Sequence, residues 1–444
     1  MISLPTLEAY VEHFASTSPD TTAVITPSRS LSYAELWQAV SIRAEALRAS
    51  GKRVVTFRAT PDADSVIEYL AVHYAGLVAA PLEKDFPEPL FAQVSESLSN
   101  VDIPDGTADI LYTTGTTGRP KGVMISASTI VANGENLVLA HGFHPELTFL
   151  ICGPLNHIGS LSKMYPTFMV GATVKIIDGL KDMNVFFDAI AEESRPVATF
   201  LVPTSIRMIL QLGSRRFASL ASKIEFIETG AAAIAQSDME SLCNILPNAR
   251  LFNTYASTET GIIATYNFNE GNCVAGCLGK PMKNAEIRIT VEGKIVCSGK
   301  TLMLGYAGDP ESTAAILRDD NGKTSIFTND LGIFDVNGCL HLRGREGDVI
   351  NVGGYKVSPT EVENVALQME EIADCVCIPA PHPLAGTVLK LLYVSQFSDY
   401  LDRRRVAMFL KERLESFKVP LLYEQVNAIK RTFNGKIDRK AYLN

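Results

Sequence analysis

Long apolar runs, clustered basic residues and cysteines at metal spacing are all scarce in this 444-residue chain. Each scarcity closes off a class of function. The longest apolar passage, from Leu70 to Leu82, is interrupted by His73 and Pro81 and falls short of the ~20 residues that a bilayer-spanning helix needs, so no membrane span is expected. Acidic residues outnumber basic ones, 49 to 40, giving a formal net charge of -9, which argues against nucleic acid as the main partner. The densest basic run, Arg403-Arg404-Arg405, reads as the solvated face of a helix. Eight cysteines include the close pairs Cys273/Cys277 and Cys375/Cys377, yet no histidine or second pair stands at zinc spacing; reduced thiols are expected, not metal ligands or disulfides. The opening MISLPTLEAYVEHF lacks the basic region, apolar core and small-residue cleavage site of a secretory signal, and a cytoplasmic protein is the expectation. Nothing in the sequence speaks to an oligomeric state.

What is present suits two or three globular domains: 46% hydrophobic and 20% charged residues over this length are ordinary for a folded protein. The stretch that organises the rest is ILYTTGTTGRPKGVMI, Ile110 to Ile125. Short apolar runs bounded by Gly and Pro predict strand–loop–strand. The loop offers hydroxyls from Thr113, Thr114, Thr116 and Thr117, backbone amides at Gly115, Gly118 and Gly122, and the Lys121 ammonium. Together these make a suitable wrap for a polyphosphate. It is not a Walker loop, because Lys121 follows Pro120 and precedes Gly122 where that motif needs Ser or Thr for the metal. The metal ligand must therefore come from elsewhere. Composition alone would fit a Thr/Gly-rich surface hairpin equally well; the ordered sequence is more specific.

Around this loop, strands and helices alternate, which implies α/β layers. Leu7, Tyr10, Val11 and Phe14 form a helical stripe, Ala23 to Ile25 a strand, and Leu31 to Leu47 a helix opened by a Ser32/Glu35 capping box. A strand follows from Arg53 to Phe57, then a helix from Asp64 to Ala79 ending near Pro81. Ser128 can cap a helix running through Ala140, and strands are expected near Val170 to Ile177, Ala198 to Val202 and Ile224 to Glu228. From Gly276 to Tyr306 short strands with Gly turns predict an antiparallel subdomain. Near the C-terminus Thr360 is expected to cap a helix, and Leu401 to Phe417 to form an amphipathic one.

Several further segments carry chemistry. In Asn253-Thr254-Tyr255-Ala256-Ser257-Thr258-Glu259-Thr260-Gly261, Glu259 supplies the hard oxygen that a magnesium–triphosphate needs. Thr258 can donate to a phosphate, and Tyr255 offers a face to a flat ring. Small residues at Thr229 to Ala233 permit close approach of a flat ligand, or simply a tight turn. His157, in CGPLNHIGS, reads either as a packed core histidine or as a pocket residue.

Taken in order, these segments resemble the adenylate-forming (ANL) superfamily of acyl- and aryl-CoA synthetases, peptide-synthetase adenylation domains and luciferases. The carriers are TTGTTGRPKG, NTYASTETG, FTNDLG (327–332), LRGREGDVINVGGYKVSPTEVE (342–363) and RTFNGKIDRK (431–440), with SYAELW and YAGLVAAPLEKDFP early on. The resemblance implies an α/β fold: a large N-terminal domain of layered α/β subdomains plus a small antiparallel β subdomain, followed by a small mobile α/β C-terminal lid. The divisions would be 1–344, a hinge at 345–349 centred on Gly347, and 350–444. It implies ATP or AMP contacts from Thr113, Thr114, Gly115, Thr116, Thr117 and Lys121. Gly230, Ala231 and Ala232 would wall the nucleotide, with Asn253, Tyr255 and Thr258 beside it. Asp330 would hold the ribose, and Arg345 would fork to ribose or phosphate oxygens. Glu259 would hold Mg2+, His157, Gly230 and Ala256 border the acid, Gly353 and Gly354 line a thiol tunnel, and Lys436 bridge acid and α-phosphate. Catalysis would fall to Lys436, Thr258, Glu259 and His157.

The implied activity is ATP-dependent conversion of a carboxylic acid to acyl-AMP with release of pyrophosphate. Transfer to a pantetheine thiol follows, on CoA or on an acyl carrier protein. No aspartate stands near Leu161 to Val170 to hold an α-amine, so an aromatic or aliphatic acid without one is expected. Departures from the family pattern are Gly347, Ala256, Asn329, Asn434 and a short N-terminal subdomain. An amino-acid adenylation domain, a luciferase-type oxidative enzyme and a nucleotide-binding protein without catalysis stand as alternatives.

Overall fold

The computed structural model describes residues 2–442 except 114–119, 271–272, 275, 353–354, 384–385, 398–399 and 432–436. Local signals act as expected where they are strongest. Ser32 and Glu35 close a reciprocal capping box on the helix Tyr33–Arg48, satisfying amides that the first turn leaves open. The strands Thr107–Thr113 and Lys121–Ser126 pair antiparallel from Thr107↔Ser126 to Thr113↔Lys121, so the Thr/Gly loop does join two strands. Gly122 is needed there, because a Cβ would lie 2.8 Å from the Ile110 side chain.

Two sheets frame the N-terminal part. A 14-stranded sheet has a parallel stretch through Arg250–Ser257, Ile224–Thr229, Val197–Phe200, Thr148–Ile151, Thr173–Ile176 and Thr22–Ile25. Beyond Arg250–Ser257 the ladder turns antiparallel through Gly261–Asn267, Cys277–Pro281 and Leu340–Arg345. The antiparallel subdomain is thus hydrogen-bonded continuously to the parallel one. A five-stranded sheet carries the strands flanking the threonine loop and takes Gly305–Tyr306 as its edge partner of Lys121–Ser126. That pairing brings Tyr306 beside the loop base.

Four expected boundaries move. The helix Ala63–Tyr74 stops well short of Ala79; Gly76 turns at φ 74°, and Val78–Glu83 is a strand containing Pro81. Proline is tolerated because the neighbouring strand Thr107–Thr113 pairs with this one only at Ala79↔Asp109, so no ladder bond asks for the missing N–H. The helix Ala127–His141 is capped by Ser126, not Ser128: the Ser126 hydroxyl accepts from the Thr129 amide. The helix Pro359–Ala366 opens on Ser358 with Pro at N1, and Leu401 to Phe417 is helical only over Arg403–Lys411. Past that point Phe417 stacks on Tyr355, centroids 4.4 Å apart.

Residues from Ile350 onward enclose their own apolar cluster, including Val357, Val362, Cys377, Leu391 and Leu410. Arg439 grips the buried Glu363 through two bonds of 2.6 and 2.8 Å. A polar clasp joins this part to the core. Arg207, on the helix Pro203–Ser219, pairs with Asp238 behind it at 2.9 Å. It donates forward to the Ala373 carbonyl at 2.9 Å and stands 3.6 Å from Asp374. Arg431 holds the same Asp374 at 2.8 Å, and its bridge to Ile437 brackets residues 432–436.

Candidate active site

The turn Thr258-Glu259-Thr260 links two antiparallel strands and is held from several sides. The Ser257 hydroxyl accepts from the Thr260 amide at 3.0 Å, Thr301 donates to the Thr260 carbonyl at 2.8 Å, and the Met303 amide donates to the Glu259 carbonyl at 2.8 Å. Gly261, at φ 70°, is required because a Cβ would meet Asn133 Oδ1 and the Thr301 carbonyl at 2.6 Å. The result is a half-buried Glu259 carboxylate fixed on a rigid turn.

Tyr306 connects that carboxylate to Lys121, at the base of the threonine loop. Its hydroxyl donates to Glu259 Oε1 at 2.9 Å, while the Lys121 ammonium lies 4.8 Å from its ring centroid and donates to Ser312 Oγ at 2.8 Å. Burial, then the adjacent Glu259 charge, pushes the Tyr306 phenol well up, so it stays a donor. Sequence reasoning read Tyr306 only as part of a short strand; nothing local marks it, since its partners come from distant segments.

A second cluster surrounds Asp330, on Thr324–Phe334. Tyr255 donates to Asp330 Oδ2 at 2.6 Å, and Arg345 Nε, paired across the ladder, lies 2.9 Å from Oδ1. Each carboxylate oxygen keeps further acceptor capacity. The positive charge of Arg345 also reaches Tyr306, so the two clusters adjoin. Asn253 is spent on structure, donating to the Cys277 carbonyl at 2.9 Å.

The small-residue segment is shaped by close backbone approach. A Cβ on Gly230 would sit 2.7 Å from the Thr254 carbonyl oxygen. Ala231 adopts φ 68°, a positive value it shares with Asn321 alone among the described non-glycine residues, and a left-handed alanine costs backbone energy that the surrounding structure must supply. Ala232 is half-buried, as is Ala256 on the neighbouring strand Arg250–Ser257. His157 lies just ahead of the short helix Ile158–Leu161, with Nε2 3.6 Å from Glu83 Oε1. Burial raises the Glu83 carboxyl, helped by Asp85. Below this region an unforeseen ion pair, Lys163 Nζ to Glu228 Oε1 at 2.7 Å, is 2% exposed on each side.

The hinge expectation falls on the turn Glu346–Asp348. Lys294 of the core holds Glu346 at 2.8 Å, Arg439 stands 3.6 Å from Asp348, and a Cβ on Gly347 would meet nothing within 4 Å. Thr113 ends its strand opposite Lys121. Thr114, Gly115, Thr116, Thr117, Gly353, Gly354 and Lys436 lie outside the described residues. Among the described residues no group of three or more His, Cys, Asp or Glu could hold a metal, and no helix is long and apolar enough to cross a membrane.

An α/β core with a small C-terminal domain carries Glu259, Lys121 and Asp330 on adjoining clusters, an arrangement of the kind nucleotide-binding enzymes use. Two family models match: AMP-binding enzyme over residues 92–307 and AMP-binding enzyme C-terminal domain over 361–436. The chain belongs to the AMP-binding enzymes of the adenylate-forming superfamily. It is 28% identical to a feruloyl-CoA synthase from Amycolatopsis over 95% of both chains. It is 27% identical to indoleacetate–CoA ligase from Aromatoleum aromaticum over 97% of this chain and 96% of that one. ATP-bound MatB from Rhodopseudomonas palustris superposes with a TM-score of 0.87, at 23% identity, over 99% of this chain and 98% of that one. The anthranilate CoA ligase AuaEII, in complex with anthranoyl-AMP, gives 0.86 at 18% identity over 98% and 96%. These superpositions establish the ANL fold.

Proposed function

We propose that this chain is an AMP-forming acid–thiol ligase: it activates a carboxylic acid with ATP and passes the acyl group to the thiol of CoA. The observation that carries the reading is the convergence of Lys121, Tyr306 and Glu259 from three separate segments onto one point, beside Asp330 and Arg345. In the first step a carboxylate oxygen forms a bond to the α-phosphorus and pyrophosphate leaves. Anion meets anion, so the protein's task is to position the reactants and neutralise charge. Lys121 faces the departing phosphates. Tyr306 fixes one oxygen of Glu259; a magnesium ion arriving with the triphosphate suits a single carboxylate ligand of this kind and would neutralise phosphate charge. Asp330, oriented by Tyr255 and Arg345, accepts from the ribose hydroxyls.

In the second step a pantetheine thiolate adds to the acyl carbonyl and AMP leaves as the carbon–oxygen bond breaks. Gly347 serves as the pivot between 1–344 and 350–444. Lys436 acts in adenylation, His157 with Gly230 and Ala256 border the acid, and Gly353 with Gly354 line the thiol's approach. A carrier-protein pantetheine presents the same thiol and is the second acceptor to test. Pyrophosphate release from ATP across a panel of carboxylic acids, with and without CoA, decides the matter. Acid-dependent release and CoA-dependent thioester are expected. Release unaffected by any acid would overturn the reading.

A further inference from the structure

We infer, resting on the ligase reading, that Ser312 and Asp309 are positioning residues for the first half-reaction: they seat the Lys121 ammonium where the departing phosphates need it and keep it from pairing with Glu259.

A lysine charge is hard to hold in one place. It sits at the end of four flexible carbons, and an ammonium left near a carboxylate is drawn onto it. Both conditions hold here. Lys121 is half-buried at the start of the strand Lys121–Ser126. Glu259 bonds to the hydroxyl of the same Tyr306 whose ring centroid lies 4.8 Å from the ammonium. Yet the ammonium donates to Ser312 Oγ at 2.8 Å and, among the described residues, pairs with no carboxylate. A neutral oxygen fixes the cation without cancelling it, and the other N–H donors of Lys121 stay available for an incoming anion.

The seat is built between Gly305 and Thr313. The edge strand Gly305–Tyr306 pairs with the lysine's own strand through Tyr306↔Val123, which sets its distance from Lys121. The Asp309 amide donates to the Tyr306 carbonyl at 3.2 Å. Asp309 then caps the helix Pro310–Ile316, its Oδ1 accepting from the Ser312 amide at 2.9 Å. Thr313 locks this turn to Tyr306: its hydroxyl accepts from the Tyr306 amide at 2.9 Å and donates to the Asp309 carbonyl at 2.8 Å. Gly305, at φ 145°, has no room for a side chain, since a Cβ would lie 2.9 Å from Thr313 Cγ2. One short turn therefore carries both the ring beside the ammonium and the oxygen that bonds it. The Ser312 hydroxyl, then the Ser312 amide, hold the Asp309 carboxyl below its ordinary value, and the Lys121 charge adds to this. Ser312 thus accepts from Lys121 while directing its own proton at Asp309, and bonds polarised in one direction strengthen each other.

The test uses the full chain as wild type, Ser312→Ala, Ser312→Thr and Asp309→Asn. ATP–pyrophosphate exchange is measured beside thioester formation from preformed acyl-AMP. Ser312→Ala should lower kcat/KM for ATP in exchange by about tenfold or more, the factor attached to a charged donor that loses its acceptor. The KM for the acid, the thioester step and the melting temperature should not change. The thioester step discriminates because pyrophosphate has already left, whereas general damage to the fold slows both steps. Ser312→Thr keeps the hydroxyl and should recover most of the loss. Asp309→Asn keeps the cap, which asparagine serves as well, and removes only the charge; a smaller loss confined to exchange is expected. A wild-type kcat/KM for ATP in Ser312→Ala or Asp309→Asn, an equal loss in the thioester step, or no recovery in Ser312→Thr overturns the inference. Should no acid support exchange in the wild type, the ligase reading fails separately. Thermal protection then decides: Ser312→Ala must lose protection by magnesium-ATP while keeping that by AMP. Equal protection of wild type and variant by magnesium-ATP, none included, refutes the seat.

Discussion

Arg207 is the side chain whose loss should separate the two half-reactions. It ties the core helix Pro203–Ser219 to the strand Ile372–His382 through the Ala373 carbonyl at 2.9 Å and Asp374 at 3.6 Å. Asp374 in turn holds Arg431, at the base of the segment containing Lys436. A hydrogen bond from a charged donor contributes about 1.5–3 kcal/mol, and a partly exposed ion pair at that longer distance adds less than ~1 kcal/mol. About 2 kcal/mol therefore favours the observed pose, roughly a 30-fold bias. Arg207→Met keeps the apolar stem but removes the clasp. Adenylation, followed by ATP–pyrophosphate exchange, should fall by about tenfold or more, while thioester formation from preformed acyl-AMP is retained or accelerated. Asp374→Asn spares the bond to the Ala373 carbonyl and removes only the charge that Arg207 and Arg431 share, so it should act in the same direction with a smaller effect. Equal loss in both half-reactions, or no change in either, would refute the clasp.

Three further outcomes follow from the geometry. Tyr306→Phe removes the bond to Glu259, worth about 1.5–3 kcal/mol to a charged acceptor; pyrophosphate release should drop by about 10- to 100-fold and need more magnesium for half-saturation, and an unaltered magnesium titration would count against it. Gly230→Ala forces a methyl to 2.7 Å from a backbone oxygen, which should lower stability by about 1–3 kcal/mol and raise the KM for the acid more than that for ATP, as melts and steady-state kinetics would report. His73 lies between Glu8 at 3.2 Å and Asp109 at 2.8 Å. Burial opposes its charge, but the two carboxylates prevail and push it up to about 10 from an ordinary 6.5. Its contribution is therefore complete below pH 6.5 and is lost as pH rises through 10, at up to ~1.4 kcal/mol per unit. Thermal melts across the alkaline range up to that value should fall more steeply for the wild type than for His73→Gln, and parallel curves would disprove this.

Local chemistry was the legible part. The Ser32/Glu35 box, the strands flanking the threonine loop and the acid on the Thr258–Thr260 turn all depend on neighbours a few residues away, so a linear reading finds them. The apolar run ending at Leu82 misled because continuous hydrophobicity does not distinguish helix from buried strand; Gly76 was the overlooked stop. Lys163 and Glu228 escaped notice for a different reason. Charged residues normally signal exposure, and only the folded chain brings these two, 65 residues apart, to 2.7 Å. The Arg207–Asp374 clasp and the Tyr306–Glu259 bond are equally non-local.

The turn Glu346–Asp348 has a mechanical consequence. Its first acid is tethered to Lys294 and its last faces Arg439, while the residue between touches nothing with its missing side chain. If the chain pivots here as proposed, the two tethered acids would confine the turning to the φ and ψ of Gly347, the one residue of the three with open space around it. The moving part would then swing like a door on a single pin.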